Sequence, residues 1–403
     1  MPWKETCPME ERIELVHLYR SGRYRVAELA AAFGVSRKTA YKWLGRFAQD
    51  GLAGLEERSR APHRHPNATP LAVVQAVLQA KAAHPTWGPA KLLPPSEGDA
   101  ELSAAWPAPS TRGAILDRHG LVHKRRPRRR TPPWTQPFQQ CRGPNDVWCV
   151  DFKGWFRTKD GARCDPLTVS DAYSRMLLCC HAVNKPDSMH VRPVLERLFR
   201  GYGLPLAIRT DNGPPFASVA AGGLSSLSVW WVKLGILPER IEPGHPEQNG
   251  RHERLHGTLK RETARPPAAT LRTQQARFAA FQAEYNGQRP HQALGQVPPA
   301  TVYTPSPRPY PNKIEPFDYP PTAAIRSVRH NGEIKWRGEL VFISEALAGE
   351  LVAVTEAEHG WLVRFGPIAL GTLRPKMTRL DRLPTLMPVI AWQCPKSVTY
   401  VPG

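Results

Sequence analysis

The sequence has no apolar run approaching membrane-spanning length and no Cys-x-x-Cys pair. The first absence argues against a helical membrane protein. The second, with seven cysteines at irregular spacing (Cys7, Cys141, Cys149, Cys164, Cys179, Cys180 and Cys394), argues against a cysteine-rich zinc site. An odd count with several members in apolar runs predicts buried free thiols in a reducing cytosol. The opening residues, Met1-Pro2-Trp3-Lys4-Glu5, lack a signal-peptide pattern, so a cytoplasmic location is expected. Acid is also scarce. There are 35 Asp and Glu against 55 Lys and Arg in 403 residues, a formal charge of +20. An excess that large points to a polyanionic partner, and with no anchor, nucleic acid is favoured over a membrane surface. What is present suffices for real cores: 41% of residues are hydrophobic, and the length predicts roughly two to four domains.

The N-terminal region (1–57) reads as a helix-turn-helix. A helix over 9–21 has Ile13, Val16 and Tyr19 spaced for one face, and Val26–Phe33 forms a second helix. Ser36 is a good N-cap for a third helix through about Phe47. Ala30, Gly34, Val35, Ala40 and Trp43 fit the inward positions of the motif. Arg37, Lys38, Tyr41 and Lys42 then face outward on a recognition helix that can enter a major groove. A plain three-helix unit with solvated cations is the ordinary alternative. Region 58–140 holds a Pro/His/Arg-rich linker, helices at Leu71–Ala83 and Ser110–His119 that make a weak second helix-turn-helix, and a basic arm. In that arm, Arg125, Arg126, Arg128, Arg129 and Arg130 carry one sign of charge and suit a phosphate backbone in a salt-sensitive way.

From Asn145 the pattern changes to strands. Val147–Lys153, Leu167–Ser170 and Leu177–Val183 suggest an antiparallel meander, Ser188–Tyr202 a helix, and Leu206–Gly213 a strand ending in Asp-Asn-Gly. A helix between strands implies a crossover and a parallel pairing. Asp151 and Asp211 then both sit near carboxyl ends of strands, where open α/β sheets bind ligands. A helix near Leu224–Leu234 and a strand Ile236–Ile241 lead to Pro246, a suitable first helical residue. Glu247, Arg251, Arg254 and Thr258 then share one helical stripe: an acid, two guanidiniums and a hydroxyl. Each acid alone has an ordinary reading as a turn or first-turn residue. Together, in a basic chain, Asp151, Asp211 and Glu247 suit hard divalent cations, Mg²⁺ or Mn²⁺. Two ions roughly 4 Å apart can activate a hydroxyl and stabilise a leaving oxygen in phosphodiester attack.

Trp148-Cys149-Val150-Asp151-Phe152-Lys153-Gly154, Arg209-Thr210-Asp211-Asn212-Gly213-Pro214-Pro215-Phe216 and His245-Pro246-Glu247-Gln248-Asn249-Gly250-Arg251-His252-Glu253-Arg254 resemble the DDE triad of bacterial insertion-sequence transposases with a retroviral-integrase-type core. Between Asp211 and Glu247 lie 35 residues, the spacing that names the group. Tyr285 to Gly295 resembles the signature that follows the last core helix. The resemblance implies a multidomain α/β protein: an N-terminal helix-turn-helix, a central ribonuclease-H-like mixed sheet with flanking helices (141–303), a proline-rich linker (304–321), a small SH3-like β-barrel (322–380) and a tail (381–403). It implies catalytic and metal-binding roles for Asp151, Asp211 and Glu247, with Mg²⁺ or Mn²⁺, two ions, as cofactor. It also implies DNA contacts at Arg251, Arg254 and Lys260, with Asn212 and Asn249 flanking the metal ligands. The partners implied are the double-stranded ends of an element and a target DNA, handled by at least a dimer.

Two other readings compete. A catalytically silent relative would only bind DNA as a regulator. His252-Glu253-Arg254-Leu255-His256 also matches the zinc-protease pattern HExxH. The residues after it supply no third ligand, and nothing around Glu284 supports that residue in the part. His252 and His256 are expected on the helix surface or facing DNA.

Overall fold

The computed structural model describes residues 7–59, 68–94, 100–122, 141–218, 223–241, 250–375 and 378–388, which fall into two units, 1–70 and 71–403. In the first unit, helices α1 (Pro8–Arg20), α2 (Val26–Ala32) and α3 (Arg37–Asp50) surround Leu15, Val26, Ala30 and Ala40, with Val16, Trp43 and Leu55 beside them. The α2–α3 turn needs Gly34, whose φ is +62°, a conformation that costs an L side chain about 1–2 kcal/mol. Ser36 caps α3, its hydroxyl accepting from the Thr39 amide at 3.1 Å. Two expectations fail here. Val35 is exposed, and in α1 the buried pair is Leu15 and Val16, with Ile13 and Tyr19 turned to solvent. The inward face of α1 is set by where α3 lies, which the periodicity of 13 residues leaves open.

The second unit opens with α4 (Leu71–Ala83), α5 (Ala100–Ala104) and α6 (Pro109–Arg118). α4 and α6 share a small core of Val77, Trp87, Leu92, Ile115 and Leu116. Pro109 occupies the first turn of α6 and Ala108 is its N-cap, where Ser110 was expected.

Strands β1 (Val147–Phe152), β2 (Phe156–Arg157), β3 (Arg163–Asp171) and β4 (Leu177–Val183) follow. Then come α7 (Ser188–Tyr202), β5 (Ala207–Thr210), α8 (Ser226–Lys233), β6 (Leu237–Arg240), α9 (Gly250–Thr263) and α10 (Leu271–Gly287). β3 lies between β1 and β4, both antiparallel to it, with the short β2 beside its start. β1 pairs in parallel with β5, and β5 with β6. The result is the expected mixed sheet. One face carries Trp148, Val150, Leu167 and Val169 against α7 and α8. The other carries Cys164 and Cys180 against Leu255, Leu259, Phe278 and Phe281 of α9 and α10. With both faces covered, β3 is buried almost throughout. The described cysteines are free thiols, as expected, and no described helix is long and apolar enough to cross a membrane.

The proline-rich stretch after the core is pinned to it. Tyr303 donates to the buried Asn145 side chain at 2.8 Å. Arg308 donates to the carbonyls of Pro205, Leu234 and Gly235, and Tyr310 stacks 6.4 Å from Phe199. Beyond it lie β7 (Ala324–Ser327), β8 (Glu333–Trp336), β9 (Glu339–Phe342), β10 (Leu351–Ala357), β11 (Gly360–Phe365), β12 (Ile368–Leu373) and β13 (Asp381–Pro388). These make a five-stranded antiparallel sheet, β13-β12-β11-β10-β7, and a separate β8–β9 hairpin. Among the described residues the sheet does not close into the expected barrel, because β13 and β7 are its two edges. Its core includes Leu224, Val229 and Val232 from around α8, and Lys233 pairs with Glu350 at 2.7 Å.

Candidate active site and nucleic-acid interface

The parallel pairing of β1 and β5 places the two aspartates. Val147 lies opposite Ala207, Trp148 opposite Ile208 and Cys149 opposite Arg209. Asp151 lies two residues past the last paired position of β1 and Asp211 directly follows β5, so the same register carried on brings the two acids to the same end of neighbouring strands, where ladder spacing is about 4.8 Å. Asp151 pairs across the other side with Thr168 of β3, and paired residues project to one face. That is the face covered by α9. Asp211 makes a turn immediately after β5: its Oδ1 accepts from the Gly213 amide at 3.2 Å, while Oδ2 has no partner among the described residues. The turn role weighed from sequence is therefore real and leaves one oxygen available. Asn212 is spent structurally, its Nδ2 donating to the Ile241 carbonyl at 2.9 Å. Glu247, Asn249 and the arm residues Arg125, Arg126, Arg128, Arg129 and Arg130 lie outside the described residues.

The histidines of the HExxH pattern do not face solvent or DNA, which corrects the expectation for them. His252 is buried, and its Nε2 is 3.1 Å from the Thr168 hydroxyl. His256 Nε2 is 2.8 Å from the same oxygen, which in turn donates to the Asp151 carbonyl at 3.1 Å. A hydroxyl has one donor and two acceptor sites, so with its proton on the Asp151 carbonyl both imidazoles donate through Nε2. Burial lowers His252 to about 4; burial and then His252 lower His256 to about 3. Both nitrogens that a zinc site would use are committed. Among the described residues no three metal-capable side chains gather.

On α3, Arg37, Lys38, Tyr41 and Lys42 are all exposed, Tyr41 by 61%, and Lys42 also rests 4.3 Å from the Trp43 ring. On α9, Arg254 and Lys260 are exposed, while Arg251 is half-buried and donates to the Ala172 carbonyl at 3.3 Å. Thr258 is buried and bonds its own helix at the Arg254 carbonyl. Tyr285 to Gly295 is a clamp. Asn286 grips the Leu177 backbone, accepting from its amide at 2.8 Å and donating to its carbonyl at 2.9 Å. Arg289 pairs with Glu262 of α9 at 3.0 Å.

Against known families, residues 142–246 and 234–299 match two models of an integrase core domain. The chain carries an integrase core. Residues 11–63 ahead of that core match a helix-turn-helix domain, and residues 39–103 a homeodomain-like domain. The second match begins within α3 and takes in α4. The uncharacterised 31.7 kDa protein of insertion element IS407 from Burkholderia multivorans is 33% identical over 39% of this chain. The uncharacterised 39.2 kDa protein of insertion element IS476 from Xanthomonas euvesicatoria is 34% identical over 44%. The matched region spans 54% and 50% of those relatives, about half their length. A magnesium complex of the HTLV-2 integrase catalytic core is 18% identical over 41% of this chain and all of that one, with a TM-score of 0.33.

Proposed function

We propose that this protein is a DDE transposase that cuts and joins DNA at the ends of its own element. The observation that carries the proposal is the pair of aspartates in matched register, Asp151 and Asp211, inside an integrase core flanked by helix-turn-helix sequence. Glu247, at the entry to α9, is the third ligand in this reading. The donor set fits a hard divalent cation: both described acids offer oxygen only, and the nearest imidazoles are held by Thr168. Mg²⁺ or Mn²⁺ bound there would supply a deprotonated nucleophile and charge stabilisation at the phosphodiester. The chain's own contributions are distinct. Asp151 is held in β1 by its pairing with Thr168 and Asp211 by its turn to the Gly213 amide, which limits reorganisation at the moment of attack. Arg254 and Lys260 line the exposed side of α9 with positive charge for the DNA backbone. Arg37, Lys38, Tyr41 and Lys42 read the element end, and two copies of the protein pair the two ends.

Asp151→Asn tests this directly. With Mg²⁺ and duplexes carrying the element ends, the variant should lose strand cleavage and strand transfer while binding the duplex as the unaltered protein does. Full activity in the variant would refute the site. An unaltered protein that binds its ends with no cleavage in Mg²⁺ or Mn²⁺ would make it the regulator instead.

A further inference from the structure

Within the second unit, a cleft of about 1160 Å³ runs between residues 85–91 and helices α9 and α10. Lys91, Arg175, Arg251, Arg254, Arg261 and Arg289 line it, and no described Asp or Glu side chain does. Some of these cations are held in place: Lys91 donates to the Pro290 carbonyl, and Arg289 pairs with Glu262. Arg175 and Arg254 have no carboxylate partner among the described residues. Arg175 is half-buried in the β3–β4 turn, with a left-handed φ of 65°. A guanidinium recessed without a counter-ion is unfavourable, and its neighbours add repulsion. Burial and then Arg175 lower Arg251 to about 10; burial and then Arg289 lower Lys91 to about 8. An anion in the cleft relieves all of these at once.

Other features narrow the anion. The Trp87 indole N–H, 4% exposed on the cleft wall, has no acceptor among the described residues, and neither does His291 Nε2 have a partner. Tyr285 and His291 lie in the lining with ring centroids 4.8 Å apart. Aromatic rings between cations are the means by which proteins hold unpaired nucleotides. The volume suits a large ligand. We propose that the cleft holds a short run of unpaired nucleic-acid strand, its phosphates on Arg175, Arg254 and Arg261 and a base against Tyr285 and His291. The proposal rests on the DNA reading above and extends it: a strand end released beside α9 is the natural occupant.

The test is the affinity of the full-length protein for a labelled oligothymidylate of about ten nucleotides, without divalent metal, followed by fluorescence anisotropy across salt concentrations. Arg175→Gln with Arg254→Gln should weaken binding about tenfold and flatten the salt slope by about 1.4, or about 0.7 for each phosphate no longer neutralised. Arg175→Lys with Arg254→Lys should retain most of the affinity. If the glutamine pair lowers the thermal midpoint, Arg261→Gln alone, exposed on α9, carries the test with a smaller loss. Unchanged affinity in folded glutamine variants, an equal loss for duplex DNA, or displacement by inorganic phosphate at equal phosphate concentration would each overturn the proposal. Asp151→Asn should bind the oligonucleotide normally, so a failure of catalysis and a failure of this cleft are read separately.

Discussion

Thr168 shows how far one side chain can reach. Its hydroxyl takes two imidazole N–H groups from α9 and gives its own proton to the Asp151 carbonyl, so α9 and β1 meet on one oxygen. Thr168→Val keeps the shape but strands two buried donors and a carbonyl. Unsatisfied buried groups cost about 1–3 kcal/mol each, so the variant should lose at least about 3 kcal/mol of stability in denaturant titration, against near-neutrality if the bonds are incidental. The histidines also set a pH response. Their pKa values fall from 6.5 to about 4 and about 3 on folding, so the unfolded chain binds more protons below pH 6.5. Their contribution is full above that pH and lost as the pH falls toward 4. Urea midpoints should drop across that window, and His256→Gln should flatten the fall. None of this was legible from residues 252–256. A pattern of two histidines one turn apart states which helix face they share, and Thr168, a chain-distant partner, decides what that face meets.

At the scale of elements, the sequence was most readable where burial is two-sided. β4 and α7 have the predicted bounds, Leu177–Val183 and Ser188–Tyr202, and in the structure Asp187 caps α7, accepting from the His190 amide at 3.0 Å. The helix-turn-helix was legible for the same reason, through Gly34 and the Ser36 cap. Its basic face is where duplex recognition should be measurable. Arg37→Ala with Lys38→Ala should reduce the slope of log affinity against log salt by about 2 for duplex DNA, as followed by anisotropy. Loss of affinity with an unchanged slope would mean that these side chains do not meet phosphates. What stayed hidden was pairing between elements. The cleft joins residues 85–91, 251–261 and 285–293, and no local pattern places the first segment near the others. The motif around Arg289 was conspicuous in sequence, yet its role as a clamp on Leu177 and Glu262 appears only in three dimensions.

At the scale of the second unit, Asn145 is the point where core and proline-rich strap are joined. Its side chain accepts from the Trp148 indole at 2.9 Å and the Tyr303 hydroxyl at 2.8 Å, and donates to the Thr304 carbonyl at 2.7 Å. Its φ of 66° suits Asn better than most residues. Asn145→Ala should cost about 3 kcal/mol, from orphaned buried groups and backbone strain, and should expose the strap to limited proteolysis before the core unfolds. Uncut strap at an equal loss of stability would place the damage elsewhere. The paired aspartates carry a different consequence. Their neighbouring positions follow from the parallel pairing of β1 with β5 just before them, so the stretch of chain joining them is free to vary in length. A loop lengthened between β4 and α7 leaves the two acids side by side. Deleting a single residue inside β1 turns Asp151 to the opposite face of the sheet, so this site is measured in ladder rungs and is indifferent to residue count.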